Sequence, residues 1–594
     1  MDKLQRLLWP VAERLPPELV IRAGSYGRDL HYVINPYVTV LINYLNRHGG
    51  AARSWVNETV VRHGLDSATL ILATVLVCLL VYCAMSAVCS LLRPFTERGL
   101  LPVAFSFLRS LPPFASIIAK KKAELRDDML KKRAAQSSDQ LTALPSRGAS
   151  AEQVLARLRQ RAASDVQANG SESSTLSGAI YMPADGEHRA LLDDVYKMFS
   201  LTNPLHADAF PSVRQMEAEV VAITAGLLGG GPHGPNPKVC GAMTSGGTES
   251  ILSAVKASRD YMAAKKGIRQ PEMIIGVSAH AAYWKAAEYF KIKLHVVPVG
   301  RDFRLSAATV RRHMNPNTAI LVASAPGFPH GLMDDVQGIA HLAARAGICC
   351  HVDACLGGFC LPFVRRLGGR VPPFDFAVKG VTSMSVDTHK FGQAHKGTSV
   401  VLYCCPELRA HQYTRITDWT GGLYISPGLA GSRPGALIAT AWASLVHLGE
   451  DGLLAATRRI MAARDRLVAG IGLIPQLQVI GEPEMGVVAF RSTDPRVVNI
   501  YVLNDWMHAR GWHLNALQAP PALHFCFTAM NAGAAPALVA ALRQGVEEQL
   551  ADPAAAVAAA RRGSAPMYGM ANATPDRGMV GEFLEAYQDA MLVP

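Results

Sequence analysis

Short apolar runs alternate with amphipathic helical segments between residues 238 and 404 of this 594-residue chain. The runs read KVCGAMTS, MIIGVS, AILVASA, GICCHVDA, FAVKGVTSMSV and TSVVLYC, and helical patterns lie near 281–290 and at 334–346. Apolar strands alternating with amphipathic helices indicate a mostly parallel sheet covered on both faces. We therefore predict an α/β fold, followed by a smaller α+β domain with a helix at 452–471 and the strands VVAFR and LHFCFT.

Residues 67–92, SATLILATVLVCLLVYCAMSAVCSLL, carry no charged side chain. A membrane-spanning helix needs about 20 predominantly apolar residues, whereas a core helix of this length usually has a polar face. The pattern predicts one transmembrane helix. Basic residues are balanced on its two sides until the cluster at 120–122, which favours a cytosolic location for the C-terminal side.

The predicted helix and the composition divide the chain into segments. Residues from 134 to about 177 are rich in Ala, Ser, Gln and Arg, which is typical of a linker, with a short helical pattern at 151–163. The predicted order is a lumenal segment (1–66), the transmembrane helix (67–92), a juxtamembrane segment and linker (93–176), a large domain (177–450) and a small domain (451–594).

The composition argues against two classes of function. The net charge of +12 comes from basic residues spread along the chain rather than from a basic tract interleaved with aromatics, so no nucleic-acid partner is expected. The 11 cysteines form no CxxC pair, so no zinc site or other metal site is expected.

The stretch 244-TSGGTES-250 lies between a predicted strand and a helix from Glu249 to about Lys266. Its two glycines let the backbone approach an anion, and the helix N-terminus favours a phosphate. It has neither the GK[ST] of an ATP-binding loop nor a GxGxxG pattern. Since Gly and Ser are also ordinary turn and cap residues, the stretch alone is compatible with a purely structural role.

Three further polar residues follow predicted strands: His280, Asp353 and Lys390. Individually, each has a structural explanation, as a hydrogen-bonded histidine, a helix cap or ion pair, and a surface lysine. Near His389 and Lys396, a buried Lys390 would have a lowered pKa and act as a neutral amine nucleophile. Together, a phosphate loop, an imidazole, an acid and an amine are the groups that pyridoxal phosphate requires.

Longer stretches carry a family resemblance. They are 203-NPLHADAFPSVRQMEAEVV-221, TSGGTESIL, SAHAAYWKA, HVDACLGGF, KGVTSMSVDTHKFG, AGSRPG and YGMANATPDR. With them, the chain from about 177 to 583 resembles the sphingosine-1-phosphate lyases, relatives of the pyridoxal-phosphate-dependent decarboxylases. The resemblance implies the aspartate-aminotransferase-like fold, a homodimer with shared active sites, and a single span in the endoplasmic reticulum membrane with the catalytic domain in the cytosol.

The resemblance also implies roles for individual residues. Lys390 would form the Schiff base with the cofactor, His280 would stack on its ring, and Asp353 would pair with the pyridine nitrogen. The cofactor phosphate would be bound by Gly247, Thr248 and His389, and Arg433 would lie near the cofactor of the neighbouring subunit. On the substrate side it implies Tyr181, Asn203, His206, Lys396 and Tyr568, with Tyr181 and Lys396 in proton transfer.

Three positions depart from the family pattern. Gln393 stands where an aromatic residue is frequent, His395 where proline is usual, and Gly428 where threonine is expected. The first two could alter the loop that places Lys396, and the third puts a hydroxyl contact in doubt.

The implied reaction is a retro-aldol cleavage of phosphorylated sphingoid bases to a long-chain aldehyde and phosphoethanolamine. The resemblance leaves the base for the C3 hydroxyl open between Tyr181, Lys396 and a phosphate group. A pyridoxal-phosphate-dependent amino-acid decarboxylase is the alternative enzyme, because it uses the same cofactor residues. A catalytically silent membrane scaffold is the alternative from another class, but it would have no reason to keep Lys390, Asp353, His280 and the loop together.

Overall fold

The computed structural model describes residues 112, 116, 119, 120, 122–124, 126, 127, 141–163, 165, 174–183, 186–560 and 577–592. The predicted lumenal segment and transmembrane helix at 67–92 lie outside these residues. Within the described ranges, no helix combines the length and apolar character needed to cross a membrane.

Seven strands form the central sheet, in the order β1-β7-β6-β5-β4-β2-β3. Neighbours from β3 through β6 are parallel, and only β7 runs against the others. The predicted mostly parallel α/β sheet is therefore confirmed. The strands are β1 (Cys240–Thr244), β2 (Glu272–Gly276), β3 (Lys293–Val297), β4 (Thr318–Ser324), β5 (Cys349–Asp353), β6 (Ser383–Val386) and β7 (Ser399–Tyr403).

Helices flank this sheet and bury an apolar stripe against it. In α7 the buried residues are Val336, Ile339, Ala340 and Ala343, the spacing of one helix face. Asp335 caps its first turn, and Gly347 ends it in a left-handed conformation. The helices are α1 (Ala151–Ala162), α2 (Glu187–Phe199), α3 (Pro211–Leu227), α4 (Gly247–Lys266), α5 (Ala282–Phe290), α6 (Ala307–His313), α7 (Val336–Ala346), α8 (Leu361–Arg366) and α9 (Pro406–Arg409).

A hairpin and a second sheet follow. The strands β8 (Thr414–Ile416) and β9 (Tyr424–Ser426) pair with each other, and a four-stranded antiparallel sheet has the order β10-β11-β13-β12. The other elements are α10 (Gly435–Gly472), β10 (Leu477–Val479), β11 (Val487–Ser492), α11 (Ile500–His508), β12 (Asn515–Gln518), β13 (Pro521–Cys526), a 3₁₀ turn (Ala532–Ala534), α12 (Ala535–Ala551), α13 (Pro553–Ala559) and α14 (Arg577–Leu592).

One predicted strand had the wrong bounds, and one predicted helix follows a kink. The run FAVKGVTSMSV is strand only in β6, because the Asp375 side chain accepts the amide of Ala377 and Gly380 has φ +108°, which turn the chain first. In α10 the backbone is non-helical at Gly449, where φ is +58°, so two helices meet there, and the second agrees with the helix predicted at 452–471. The predicted boundary at 450 adjoins this kink.

Residues 174–181, here called the strap, run along β13. The Gly178 amide donates to the Cys526 carbonyl at 3.1 Å, and the Ser177 hydroxyl accepts the Cys526 amide at 2.9 Å. The buried amide of Asn531 donates to the Leu176 and Cys526 carbonyls at 2.7 and 3.0 Å. The strap is thus fixed to a strand almost 350 residues later.

We predict that Asn531→Leu destabilises the fold. The Leu176 carbonyl and the Thr528 amide, which the Asn531 side chain accepts at 2.7 Å, would lose this partner, and the Cys526 carbonyl would keep only the Gly178 amide. Since an unsatisfied buried group costs about 1–3 kcal/mol, we expect a loss of roughly 2–4 kcal/mol in the free energy of unfolding, measured by urea titration.

The matched control is Gln544→Leu, because Gln544 lies exposed on α12 and its side chain hydrogen-bonds, among the described residues, only to Glu548. We expect this variant to stay within about 0.5 kcal/mol of the original chain. Equal stability of the two variants would show that the strap is not held through Asn531.

Candidate active site

Three strands of the central sheet end at one edge, and the polar residues predicted from the sequence lie there. Thr244 ends β1, Asp353 ends β5, and Asp387 directly follows β6. These strands run in the same direction, so their carboxyl ends share an edge. In open α/β sheets, this edge is where ligands bind.

The loop before α4 forms a close-fitting cradle against Asp387. A Cβ placed on Gly247 would lie 2.8 Å from Cys355 Sγ and 2.9 Å from each Asp387 carboxylate oxygen, and one on Gly246 would lie 3.5 Å from His389 Cε1. The first amides of α4 have no carbonyl partner within the helix and can bind an anion. The predicted phosphate-binding residues Gly247, Thr248 and His389 are therefore brought to one place.

Lys390 lies in an ion pair. Its Nζ is 2.8 Å from Oδ2 of Asp387, whose side chain is only 1% exposed. Burial alone would lower the pKa of Lys390, but the Asp387 carboxylate outweighs it and raises the pKa. Burial would raise the pKa of Asp387, but Lys390 and His389 lower it. The lowered pKa expected for Lys390 was thus wrong, because the sequence argument omitted Asp387.

His389 is held in its neutral form. Its Nδ1 accepts the backbone amide of Thr398 at 3.1 Å, so the proton is on Nε2, which lies 3.6 Å from Asp387 Oδ2. Burial lowers the pKa of His389 to about 4, and the charges of Lys396 and Lys390 act in the same direction. A neutral imidazole with a free N–H can donate a hydrogen bond to a phosphate oxygen.

A chain of buried hydrogen bonds fixes Asp353. Its Oδ1 accepts the Cys355 amide at 3.1 Å and the Ser385 hydroxyl at 3.3 Å, and Ser385 in turn contacts Nε2 of His351 at 3.3 Å. The ring of His351 is fully buried, and burial lowers its pKa to about 4. These bonds orient the Asp353 carboxylate.

His280 lies in the turn between the end of β2 and the start of α5. Its Nδ1 accepts the amide of Ala282 at 3.2 Å, and the edge of Phe328 faces its ring at 6.4 Å. The contact with the first residue of α5 holds the ring in one orientation, as a stacking role requires.

Tyr181 and Lys396, both predicted to lie on the substrate side, are in contact with each other. The Lys396 ammonium lies 4.5 Å from the centroid of the Tyr181 ring, which packs against Phe391 at 5.2 Å. Burial, and after it Cys526, raises the pKa of Tyr181 well above its ordinary value. Burial and the charge of Lys390 lower the pKa of Lys396 to about 8. Near neutral pH the phenol therefore keeps its proton, whereas the amine can lose one.

Asn203 and Arg433, which were also predicted as site residues, are hydrogen-bonded to each other. Asn203 Oδ1 accepts the Arg433 amide at 3.3 Å, and the Arg433 guanidinium binds Glu217 with two bonds of 2.6 and 2.8 Å. Among the described residues, no hydrogen bond joins this pair to Lys390 or Lys396. His206 is exposed, and Tyr568 lies outside the described residues.

The three departures from the family pattern all lie near the site. Gln393 is buried with φ +55°, and its carbonyl contacts His188 Nε2 at 3.3 Å. His395 directly precedes Lys396 in the sequence, and its Nε2 lies 3.6 Å from Oδ1 of Asp193. A Cβ on Gly428 would lie 3.4 Å from Glu249 Oε1, next to the phosphate loop.

Two residues of the site were not assigned from the sequence. Asp387 is visible in the quoted run SVDTHK, and an acid three residues before a buried lysine is a signal that could have been used. Cys526 is in contact with Gly178 and helps to raise the pKa of Tyr181. Because it lies more than 300 residues from both in the sequence, no local pattern indicates it.

Comparison with known proteins now identifies the family. The family model for the pyridoxal-dependent decarboxylase conserved domain matches residues 136–493. Sphingosine-1-phosphate lyase of Arabidopsis thaliana is 47% identical over 500 residues, which cover 83% of this chain and 90% of that protein. The chain belongs to the sphingosine-1-phosphate lyase family.

Other members of the lyase family are also similar to this chain. Sphingosine-1-phosphate lyase 1 of Rattus norvegicus is 40% identical over 494 residues, covering 82% of this chain and 84% of the rat protein. The structure of the sphingosine-1-phosphate lyase of Burkholderia pseudomallei has a TM-score of 0.66 at 40% identity and covers 71% of this chain and 96% of its own. Glutamate decarboxylase of Lactobacillus brevis, at 20% identity and a TM-score of 0.59, shares the fold.

The residues at the sheet edge fit the pyridoxal cofactor of this family. The cradle at Gly247 leaves no room for a side chain, and Asp387 Oδ1 and the Thr388 hydroxyl are buried without a partner among the described residues. An amine, a fixed carboxylate and a neutral imidazole surround the cradle. This donor set matches an aldehyde-bearing, phosphorylated pyridine.

We predict that Gly247→Ala weakens cofactor binding by about tenfold or more. The added methyl group would clash with Cys355 and Asp387, and overpacking of this kind costs about 1–3 kcal/mol. The measurement is a titration of the purified apoprotein with pyridoxal phosphate, followed by the cofactor's visible absorbance.

Gly226→Ala is the matched control, because a Cβ on Gly226 would meet no atom within 4 Å. We expect its cofactor affinity to equal that of the original chain. Normal affinity in Gly247→Ala would contradict the cradle.

Proposed function

We propose that the chain is a pyridoxal-phosphate-dependent carbon–carbon lyase. It cleaves phosphorylated sphingoid bases, such as sphingosine 1-phosphate and dihydrosphingosine 1-phosphate, to a long-chain aldehyde and phosphoethanolamine. The observation that carries the proposal is the position of Lys390, paired with Asp387 at the Gly247 cradle, in a chain of the sphingosine-1-phosphate lyase family. The proposed activity is that of a sphinganine-1-phosphate aldolase in sphingolipid breakdown.

The cofactor would be held by residues of the sheet edge. Gly247, Thr248 and His389 would bind its phosphate, His280 would cover its ring, Asp353 would face its nitrogen, and Lys390 would bind its aldehyde. When bound, pyridoxal phosphate supplies an electron sink for the C2–C3 bond that breaks. The ion pair with Asp387 keeps Lys390 in place and neutralises its charge before the cofactor arrives.

The pKa values of Tyr181 and Lys396 support a proposal for the proton transfers on the substrate side. Tyr181 keeps its proton, so it acts as a hydrogen-bond donor and not as the base. Lys396, with a pKa of about 8, can accept the C3 hydroxyl proton of the substrate as a neutral amine. We therefore propose Lys396 as the general base and Tyr181 as the group that orients the hydroxyl.

The substrate phosphate needs cationic and N–H donors. His206 is our candidate, with Asn203 and Tyr568 at the same site, since Lys396 is proposed to act as a neutral base. Of these, Asn203 is already oriented by Ser432, whose hydroxyl it contacts at 3.0 Å.

We propose a homodimer with shared active sites, in which Arg433 lies near the cofactor of the neighbouring subunit. An exposed apolar surface supports an interface at the β8–β9 hairpin: Trp419, Leu423 and Ile425 are 56%, 86% and 61% exposed. Large apolar side chains exposed together on one hairpin are typical of an interaction site.

A single span at 67–92 in the endoplasmic reticulum membrane, with the large (177–450) and small (451–594) domains in the cytosol, completes the proposal. It is supported by the uncharged run in the sequence and by the chemistry of the substrate. A phosphorylated long-chain base stays in the bilayer while its polar head enters a site at the membrane surface.

We predict a pH dependence of kcat/KM that follows Lys396. The amine accepts a proton only when neutral, so activity should rise with pH and level off above about 8. In Lys396→Arg, which stays cationic, activity should fall by about 10²–10⁴-fold and the rising limb near pH 8 should disappear. A limb at the same pH in this variant would contradict the assignment.

The proposed reaction is tested on the full chain loaded with pyridoxal phosphate. Incubated with dihydrosphingosine 1-phosphate, it should release a long-chain aldehyde, detected by mass spectrometry, whereas Lys390→Ala should release none because it lacks the amine. Failure of the loaded chain to form aldehyde would exclude this substrate, and release of carbon dioxide from amino acids would then indicate a decarboxylase.

A further inference from the structure

Cys404 and Cys405 are adjacent in the sequence, and their sulfur atoms are also close in space. Successive side chains of an extended strand point to opposite faces of the sheet, which keeps the sulfur atoms of neighbouring cysteines apart. However, β7 ends at Tyr403, and the chain bends at the two cysteines. The bend brings Cys404 Sγ to 3.8 Å from Cys405 Sγ. We call these two residues the thiol pair.

The backbone holds this bend in place. The Cys404 amide donates to the Thr382 carbonyl at 2.8 Å, and the side-chain amide of Asn236 donates to the Cys404 carbonyl at 3.2 Å. Pro406 follows the pair, and a proline favours an extended conformation of the residue before it. Cys405 accordingly has φ −160° and ψ 155°. The two thiols are therefore brought together by the fold of the chain itself.

The two sulfur atoms differ in reactivity. The Cys404 thiol donates its hydrogen to Cys405 Sγ, which lowers the pKa of Cys405 and, together with burial, raises the pKa of Cys404. Burial and Glu407 oppose the shift at Cys405 without cancelling it. Since the thiolate is the nucleophilic form, Cys405 reacts first. Both side chains are half-buried and Pro406 and Glu407 are exposed, so a small molecule in solution reaches the thiol pair.

A second pair of adjacent cysteines, Cys349 and Cys350, lacks these features. Both lie inside β5, where successive side chains point to opposite faces, and they are 1% and 0% exposed. Burial raises the pKa of Cys349 to about 11 and that of Cys350 to about 12. Buried thiols of this kind are inert. Adjacency in the sequence is therefore not sufficient, and the bend after β7 distinguishes the two pairs.

We propose that the thiol pair is a reversible oxidation site for hydrogen peroxide. The Cys405 thiolate attacks one peroxide oxygen and the O–O bond breaks, which leaves a sulfenic acid on Cys405 and a hydroxide that takes up a proton to form water. The Cys404 sulfur then attacks the Cys405 sulfur and the S–O bond breaks. The departing hydroxide takes the Cys404 proton and forms a second water. Two thiols are thus oxidised to one disulfide while one peroxide is reduced to two water molecules.

A disulfide between adjacent residues is easily reduced again. Across a trans peptide the Cα atoms are about 3.8 Å apart, whereas disulfides usually join Cα atoms about 4.4–6.8 Å apart. The resulting strain makes the bond labile, which is typical of disulfides that form and break as redox sensors in reducing compartments. We therefore expect glutathione to restore both thiols.

The inference is independent of the proposed function. Tyr403 pairs with Ser383 at the start of β6, so the thiol pair lies at the edge of the sheet opposite to the edge that carries Lys390. The test consequently measures the thiols and not the release of aldehyde.

The full chain, loaded with pyridoxal phosphate, is treated with hydrogen peroxide, unfolded, alkylated with N-ethylmaleimide and digested with trypsin. Cleavage after Lys396 and Arg409 yields the peptide 397–409, which carries only the two cysteines of the thiol pair. Mass spectrometry should show this peptide without alkylation and with two hydrogen atoms fewer. It should be oxidised at least about tenfold faster than the peptide 346–365, which contains Cys349 and Cys350.

Two single variants separate the steps. In Cys404→Ser no second thiol is present, so the sulfenic acid on Cys405 should accumulate and be trapped by dimedone. In Cys405→Ser the remaining Cys404 should react at least about tenfold more slowly, because it lacks the low-pKa sulfur. Cys350→Ala is the matched control, and its peptide 397–409 should be oxidised at the rate of the original chain.

Equal rates for the peptides 397–409 and 346–365 in the original chain would overturn the inference. A disulfide that links two chains instead of Cys404 and Cys405 would also overturn it, as would a sulfenic acid that persists on Cys405 while the Cys404 thiol is present.

Discussion

The site depends on one buried ion pair, between Lys390 and Asp387. A buried carboxylate or ammonium alone costs several kcal/mol, and pairing at 2.8 Å lets both stay charged at the end of an apolar strand. The Gly247 cradle and the neutral His389 lie next to this pair. The charge of Lys390 also helps to lower the pKa of Lys396. Removal of either partner would leave an uncompensated charge where the cofactor phosphate and ring are expected to bind.

Around this pair, the same low-polarity surroundings have opposite effects on neighbouring groups. Burial raises the pKa of the Tyr181 phenol and lowers that of the Lys396 amine, because each environment disfavours the charged form. Two side chains in contact are thereby separated into a proton donor and a proton acceptor near neutral pH. These two pKa shifts are enough to distinguish the donor from the acceptor.

Much of the fold follows from the sequence, because buried parallel strands and amphipathic helices have local periodicities. The strands around Asp353 and the loop at Gly247 could be predicted for this reason. Tertiary contacts decided the rest: Asp375 turns the chain within the run FAVKGVTSMSV, and Asp387 reverses the direction of the pKa shift expected for Lys390.

The strap has a consequence for the order of events during synthesis. Tyr181 is made early, yet the hydrogen bonds that hold its segment come from Cys526, Thr528 and Asn531, near the end of the chain. Contacts between residues so far apart in sequence form late in folding, because a long loop must close before they contribute any stability. A ribosome-bound chain can therefore form the central sheet while its substrate side is incomplete. The segment that carries Tyr181 can be fixed only after residues up to Asn531 have left the ribosome.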